Sequence, residues 1–148
     1  MNYGVDSAGR GPWWSSARRY VVTADEWENR CRWEDLTAEE KILVCDGGCG
    51  LSIFGKKIIP DILFRDCCCH HDFAFLRGGD ERVRNLSEYE FRNKMEDIYA
   101  VSPDPAFFKW WAIKYKTATQ DLGWLIWRYG PMRNKAEILA LAAELRGA

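Results

Sequence analysis

All six cysteines of this 148-residue chain fall between positions 31 and 69, at 31, 45, 49, 67, 68 and 69. That crowding means one local region is stapled, by disulfides or by a metal, whatever the rest of the chain does. Six cysteines allow 15 pairings, and sequence does not choose among them. Three of the six are consecutive. Neighbouring residues on a helix point roughly 100° apart, so Cys67, Cys68 and Cys69 cannot all converge on one ion.

The remaining composition sets a frame for that region. A chain 47% hydrophobic and 29% charged fits one globular domain over residues 1–148, with a sizeable core. The formal net charge of -1 gives no electrostatic case for nucleic acid as a partner. Eight Trp and seven Phe are read first as core filling, with an apolar rim for lipid or protein as the sharper alternative. The first residues lack the apolar run of a secretory signal, and no stretch has the ~18 uninterrupted apolar residues of a membrane span.

Cap and breaker signals predict a helical architecture. The first 20 residues, with Trp13-Trp14, read as an extended arm docking by its aromatics. Thr23-Ala-Asp-Glu26 and Thr37-Ala-Glu-Glu40 each have the form of a capping box. They predict one helix through about Trp33 and a second ending near Cys45, where Asp46-Gly47-Gly48 stops it. Residues 46–61, with four glycines and a proline, read as a long loop without strand. Loops of this length are often functional.

A helix is then expected from Asp61 or Ile62 to Arg77, with Phe64, Cys68, His71 and Phe75 on one face. Gly78-Gly79 ends it. A further helix over about Arg82 to Val101 places Glu88, Phe91 and Met95 together. Pro105 suits the first turn of the next helix, which runs to Gly130 with a bend near Gly123. Pro131 opens a last one. The helix from 106 to 129 mixes Phe107, Trp110 and Trp111 with Lys109 and Lys114. It reads as a core helix with basic solvent-facing positions, part of which can lie at a lipid interface.

The chemistry-bearing residues follow one another as Cys49-Gly50, Pro60-Asp61 and Cys67-Cys68-x-x-His71-Asp72. This order resembles the phospholipase A2 superfamily, whose signature is Cys-Cys-x-x-His-Asp after a Gly-rich calcium loop. It is most similar to the compact bacterial, fungal and phage-type members. In these a Gly-Gly turn and an acid-x-x-Phe helix follow, as Gly78-Gly79 and Glu88-x-x-Phe91 do here. The resemblance covers residues 46–99.

It implies an all-α domain in which an antiparallel helix pair carries the His-Asp site beside the calcium loop. It also implies hydrolysis of the sn-2 ester of phospholipids at a membrane surface. His71 would be the base that activates water, and Glu88 would orient it. Asp72 and backbone carbonyls near Gly48, Gly50 and Ser52 would hold calcium. A Cys49–Cys68 bridge would tie loop to helix, which needs an oxidising environment, and the family suggests a secreted or virion-associated protein. Glu88 stands where the family usually has Asp, and Phe75 where many members have Tyr. No cysteine follows Cys69 to make the family's long disulfide, so another bonding scheme is implied.

Two other classes compete. Cys45-x-x-x-Cys49 with Cys67, Cys68, Cys69, His70 and His71 offers enough ligands for a structural zinc module. A non-catalytic phospholipase-like fold would bind a membrane or partner without turnover. His70, outside the motif, reads as a surface or packing residue.

Overall fold

The computed structural model describes residues 19–45, 52–53, 56–57 and 64–145, with only the backbone described at 52–53, 56–57, 115–116 and 118–126. The described residues are mainly helical. Helices α1 (Ala24–Glu28), α2 (Ala38–Val44), α3 (Arg65–Arg77), α4 (Glu81–Ala100), α5 (Pro105–Ile126) and α6 (Lys135–Leu145) follow in order, with a 3-10 turn at Trp33–Asp35. The proposed arm with Trp13-Trp14, and the loop glycines 48 and 50, lie outside the described residues.

Local chemistry sets most of these boundaries. Thr23 and Thr37 each accept from the backbone N–H three residues on, and Glu26 and Glu40 reach back, so both capping boxes form. The first helix stops at Glu28, short of Trp33, because the Asn29 side chain donates to the Asp25 carbonyl and closes the turn at 2.9 Å. Residues 46–61 are not strand-free. β1 (Ser52–Ile53) pairs antiparallel with β2 (Lys56–Lys57), Ser52 opposite Lys57. Two-residue strands are below what pattern reading resolves.

The last helix begins at Lys135, not Pro131. Asn134 Oδ1 accepts from Glu137 N–H while the Glu137 carboxylate accepts from Asn134 N–H, a capping box that opens three residues after the proline. The backbone before it is already engaged. Gly79 N–H donates to the Arg128 carbonyl, Gly130 N–H to that of Gly79, and Arg133 N–H to that of Arg77. α5 accordingly ends at Ile126 rather than Gly130, passing through Gly123 as helix.

The α3–α4 turn is where glycine is required. Gly78 has φ +74° and Gly79 φ +141°. A Cβ on Gly78 would sit 2.8 Å from the Arg128 carbonyl oxygen, and one on Gly79 3.0 Å from the Val83 side chain. Trp127 Nε1 donates to the Gly79 carbonyl at 3.1 Å, completing the clamp. Asp80 then caps α4: one carboxylate oxygen accepts from Val83 N–H, the other from Val22 N–H, both at 2.9 Å.

Three apolar clusters meet around α3. Phe64, Cys67 and Cys68 pack with Phe91 and Met95 of α4 and Ala112 of α5. Phe73 packs with Leu36, Val44, Ile138 and Ala142. Phe75 lies against a third cluster of Val22, Val83, Trp127 and Tyr129. A disulfide between Cys45, at the end of α2, and Cys69 adds a covalent tie to the same helix. With 24 residues of separation it stabilises by about 3.5 kcal/mol on the chain-entropy account. These clusters and the disulfide hold α3 in place, and the site lies on its side packed against α4.

Candidate active site on α3 and α4

His71 lies midway along α3, and its neighbours fix the ring. Its centroid is 4.6 Å from that of Phe75 and 4.5 Å from that of Phe91, so aromatic walls stand on two sides. Nε2 lies 3.1 Å from Glu88 Oε1, with His71 7% and Glu88 9% exposed. A buried carboxylate is tolerated only with a partner, and the imidazole supplies one. Glu88 arrives because Val83, Ser87, Glu88, Phe91 and Met95 make the buried stripe of α4. Its extra methylene, compared with the Asp usual in the resembled family, still leaves hydrogen-bond distance to the ring.

A carboxylate at Nε2 selects the tautomer with the proton on that nitrogen. The lone pair then resides on Nδ1. Phe75, where a hydroxyl was the usual family feature, is used for packing: it meets Trp127 edge-on at 4.9 Å.

Asp72 follows on α3, partly exposed, and its side chain leaves the helix in another direction from that of His71. Among the candidate calcium donors, Ser52 falls in β1 and only its backbone is described, while Gly48 and Gly50 lie outside the described residues. Among the described residues no group of three or more His, Cys, Asp or Glu side chains could hold a metal. The donor chemistry suits a hard cation only in part. Asp72 contributes one carboxylate, and the carbonyl oxygens such an ion also needs would come from elsewhere.

The sulfurs are mostly spent. Cys45 and Cys69 are joined, and Cys68 is also disulfide-bonded, its expected partner Cys49 lying outside the described residues. Cys67 and Cys31 are free thiols. Burial pushes the Cys67 thiol up to about 11, so it stays protonated at neutral pH. No family model, curated protein or solved structure matches this chain.

His70, next to His71, is in a different environment. Its ring lies 4.7 Å from that of Trp33, and Nδ1 accepts from Lys94 Nζ at 2.8 Å. Burial, with the Lys94 charge behind it, pushes its pKa below the ordinary histidine value.

Sequence reading passed over the polar residues flanking Glu88 on α4. Arg84, Asn85, Tyr89 and Arg92 join Glu88 in lining a cavity of about 340 Å³. Arg84 donates to Glu81 Oε1 at 2.6 Å, and Tyr129 donates to the other oxygen of Glu81. Burial pulls the Arg84 guanidinium down, but its bond and charge pairing with Glu81 raise it beyond that. The available signal was the i, i+4, i+8 spacing of Arg84, Glu88 and Arg92, which puts two cations either side of the acid on one helical stripe.

Proposed function

We propose that the chain is a calcium-dependent hydrolase of the phospholipase A2 type, acting on the sn-2 ester of phospholipids at a membrane surface. The observation that carries the reading is the buried His71–Glu88 pair, 3.1 Å apart, with Nε2 given to the carboxylate. The motif residues around it, Cys67-Cys68-x-x-His71-Asp72 and Glu88-x-x-Phe91, support it from sequence.

The chemistry follows from that pairing. With Nε2–H held by Glu88, Nδ1 takes a proton from a water molecule as the water oxygen attacks the ester carbonyl. Glu88 keeps the ring oriented and offsets the charge of the imidazolium. The same nitrogen then returns the proton to the departing alkoxide. Phe75 and Phe91 limit solvent around the ring, so the ion pair forms in a medium where electrostatic stabilisation is stronger than in water. Asp72, with carbonyls near Gly48, Gly50 and Ser52, would hold calcium in an antiparallel α3–α4 arrangement. Bound there, the ion supplies Lewis-acid stabilisation of the carbonyl oxygen and attraction for the phosphate.

The outer face of α5 supports a membrane surface as the place of action. Phe107, Trp110 and Ile113 are 48, 52 and 52% exposed, at i, i+3 and i+6. Lys109 is exposed beside them, and the Lys114 ammonium lies 5.1 Å from the Trp110 ring. Apolar and aromatic groups with cations alongside suit an anionic lipid interface. The opposite face, with Phe108, Trp111 and Ala112, packs inward, so one helix does both jobs. The zinc module is less favoured, because three of its candidate sulfurs are in disulfides and a disulfide sulfur is no thiolate ligand.

Release of fatty acid from phospholipid vesicles, with calcium and with a chelator, tests the reading. Calcium-dependent release that disappears in His71→Ala is the expected result. Release that survives His71→Ala removes the mechanism, and no release from any vesicle by the intact chain leaves a fold that binds without turnover.

A further inference from the structure

The residues behind Glu88 form a second feature that the hydrolytic reading does not use. Arg84, Asn85, Glu88, Tyr89 and Arg92 occupy successive turns of α4 and line a cavity of about 340 Å³, and among the described residues each lining group is polar or carries a polar tip. Among the described lining residues two guanidiniums accompany one carboxylate. That carboxylate is itself engaged with His71. Arg84 spends one donor on Glu81, and its Nε is buried without a hydrogen bond. Arg92 makes no ion pair among the described residues and lies 5.2 Å from the Tyr89 ring centroid. A guanidinium offers five donors in a planar fork that matches carboxylate and phosphate oxygens. The cavity therefore has spare donors on Arg92, matched in geometry to an oxyanion.

Arg92 also lines a second cavity, of about 150 Å³, between α4 and α5. Met95, Tyr99, Ala112 and Ile113 give it apolar surface, and Lys109 and Glu96 add one cation and one carboxylate. The polar cavity and the apolar groove thus share one cationic residue. A ligand that satisfies both has an oxyanion at one end and a hydrocarbon chain at the other.

We propose that these two cavities, sharing Arg92, form a binding site for a single-chain amphiphile with an oxyanion head. The head sits among Arg84, Asn85 and Arg92, and the chain lies over Met95, Ala112 and Ile113. The site is separate from the Nδ1 side of His71, since it is lined by the acid that holds the other ring nitrogen. It does not depend on the chain being a hydrolase. The head can be a phosphate monoester or a carboxylate, because the fork recognises both.

Isothermal titration of the full chain in the presence of a chelator, so that no turnover intervenes, tests the proposal. The probes are octyl phosphate and octanoate below their micellar concentrations, with octyl glucoside and inorganic phosphate as controls. Saturable one-to-one binding of at least one anionic amphiphile is expected, at least tenfold tighter than either control. The tighter of the two identifies the head. Arg92→Gln is expected to weaken that binding at least tenfold, and Arg92→Lys, which keeps charge and loses the fork, to fall between. Ile113→Ser is expected to weaken octyl phosphate or octanoate several-fold while leaving inorganic phosphate unchanged. Thermal unfolding of each variant reports whether it is folded. Raising salt from about 50 to 500 mM on the unmodified chain checks the charge contribution without any substitution, and loss of affinity is expected. Equal binding of octyl glucoside, affinity unmoved by Arg92→Gln and by salt, or no binding of either anionic amphiphile at millimolar concentration, each overturns it. None of these outcomes bears on fatty acid release.

Discussion

His70 and His71 are neighbours on one helix, yet α4 presents them with opposite charges. His71 meets a carboxylate, Glu88, inside an aromatic box. His70, half-buried under Trp33, accepts from the Lys94 ammonium. A carboxylate stabilises a proton arriving on the ring, whereas an ammonium opposes it. The charge each imidazole meets in this fold is thus set by which turn of α4 it faces. The helical rotation of roughly 100° between the two residues is enough to change it.

The sharpest way to break the comparison is to remove each ring in turn. His71→Ala should lower calcium-dependent fatty acid release by on the order of 10²–10⁴-fold, the usual contribution of a general base. His70→Ala should leave the rate within a few-fold. Comparable losses in both would mean that the Glu88 contact does not distinguish the two histidines.

The acid comes next in size. Glu88→Gln keeps the side-chain length and removes the charge, and should lower the rate on the order of 10²-fold, because the imidazolium loses its counter-charge. Glu88→Asp restores the residue usual in the resembled family but shortens the reach by one methylene. A loss of about tenfold is expected, since a misplacement approaching 1 Å can cost up to 10². Glu88→Ala should cost about 1–3 kcal/mol of stability in urea unfolding, from a buried ring nitrogen left without its partner. Unchanged stability would show that water replaces the carboxylate.

Much of this arrangement is legible before any coordinates. The apolar spacing of Phe64, Cys68, His71 and Phe75 and of Glu88, Phe91 and Met95 marks the faces that meet, and the two Thr-x-x-Glu boxes mark helix starts correctly. What stays hidden depends on contacts distant in sequence. Pro131 reads as a helix start, but the backbone at 128–133 is recruited by residues 77–79. The Cys45–Cys69 bridge is one of 15 pairings, decided by where α2 ends against α3. His70's partner lies 24 residues away on α4, and no local pattern marks Lys94 as facing it. The cavity beside Glu88 is likewise a product of packing, although its arginines share the acid's helical stripe.

The smallest expected effect concerns acid stability, and it separates the two causes acting on His70. Its folded pKa lies below the ordinary value of 6.5, first through burial and then through Lys94. Above about 6.5 the ring is neutral folded or unfolded, and the shift has no influence on stability. Below it the unfolded chain takes up a proton that the folded chain resists, so stability falls as pH drops towards the lowered folded value. The melting temperature of the unmodified chain, measured with chelator present, should therefore decline more between pH 7 and 5 than that of His70→Asn. Lys94→Met removes the charge and keeps the burial. Its decline should lie between the two, and the His70 ring resonances should titrate at higher pH than in the unmodified chain. A titration unmoved by Lys94→Met would assign the whole shift to burial, and the opposition of charges between the two histidines would then have no energetic content on the His70 side.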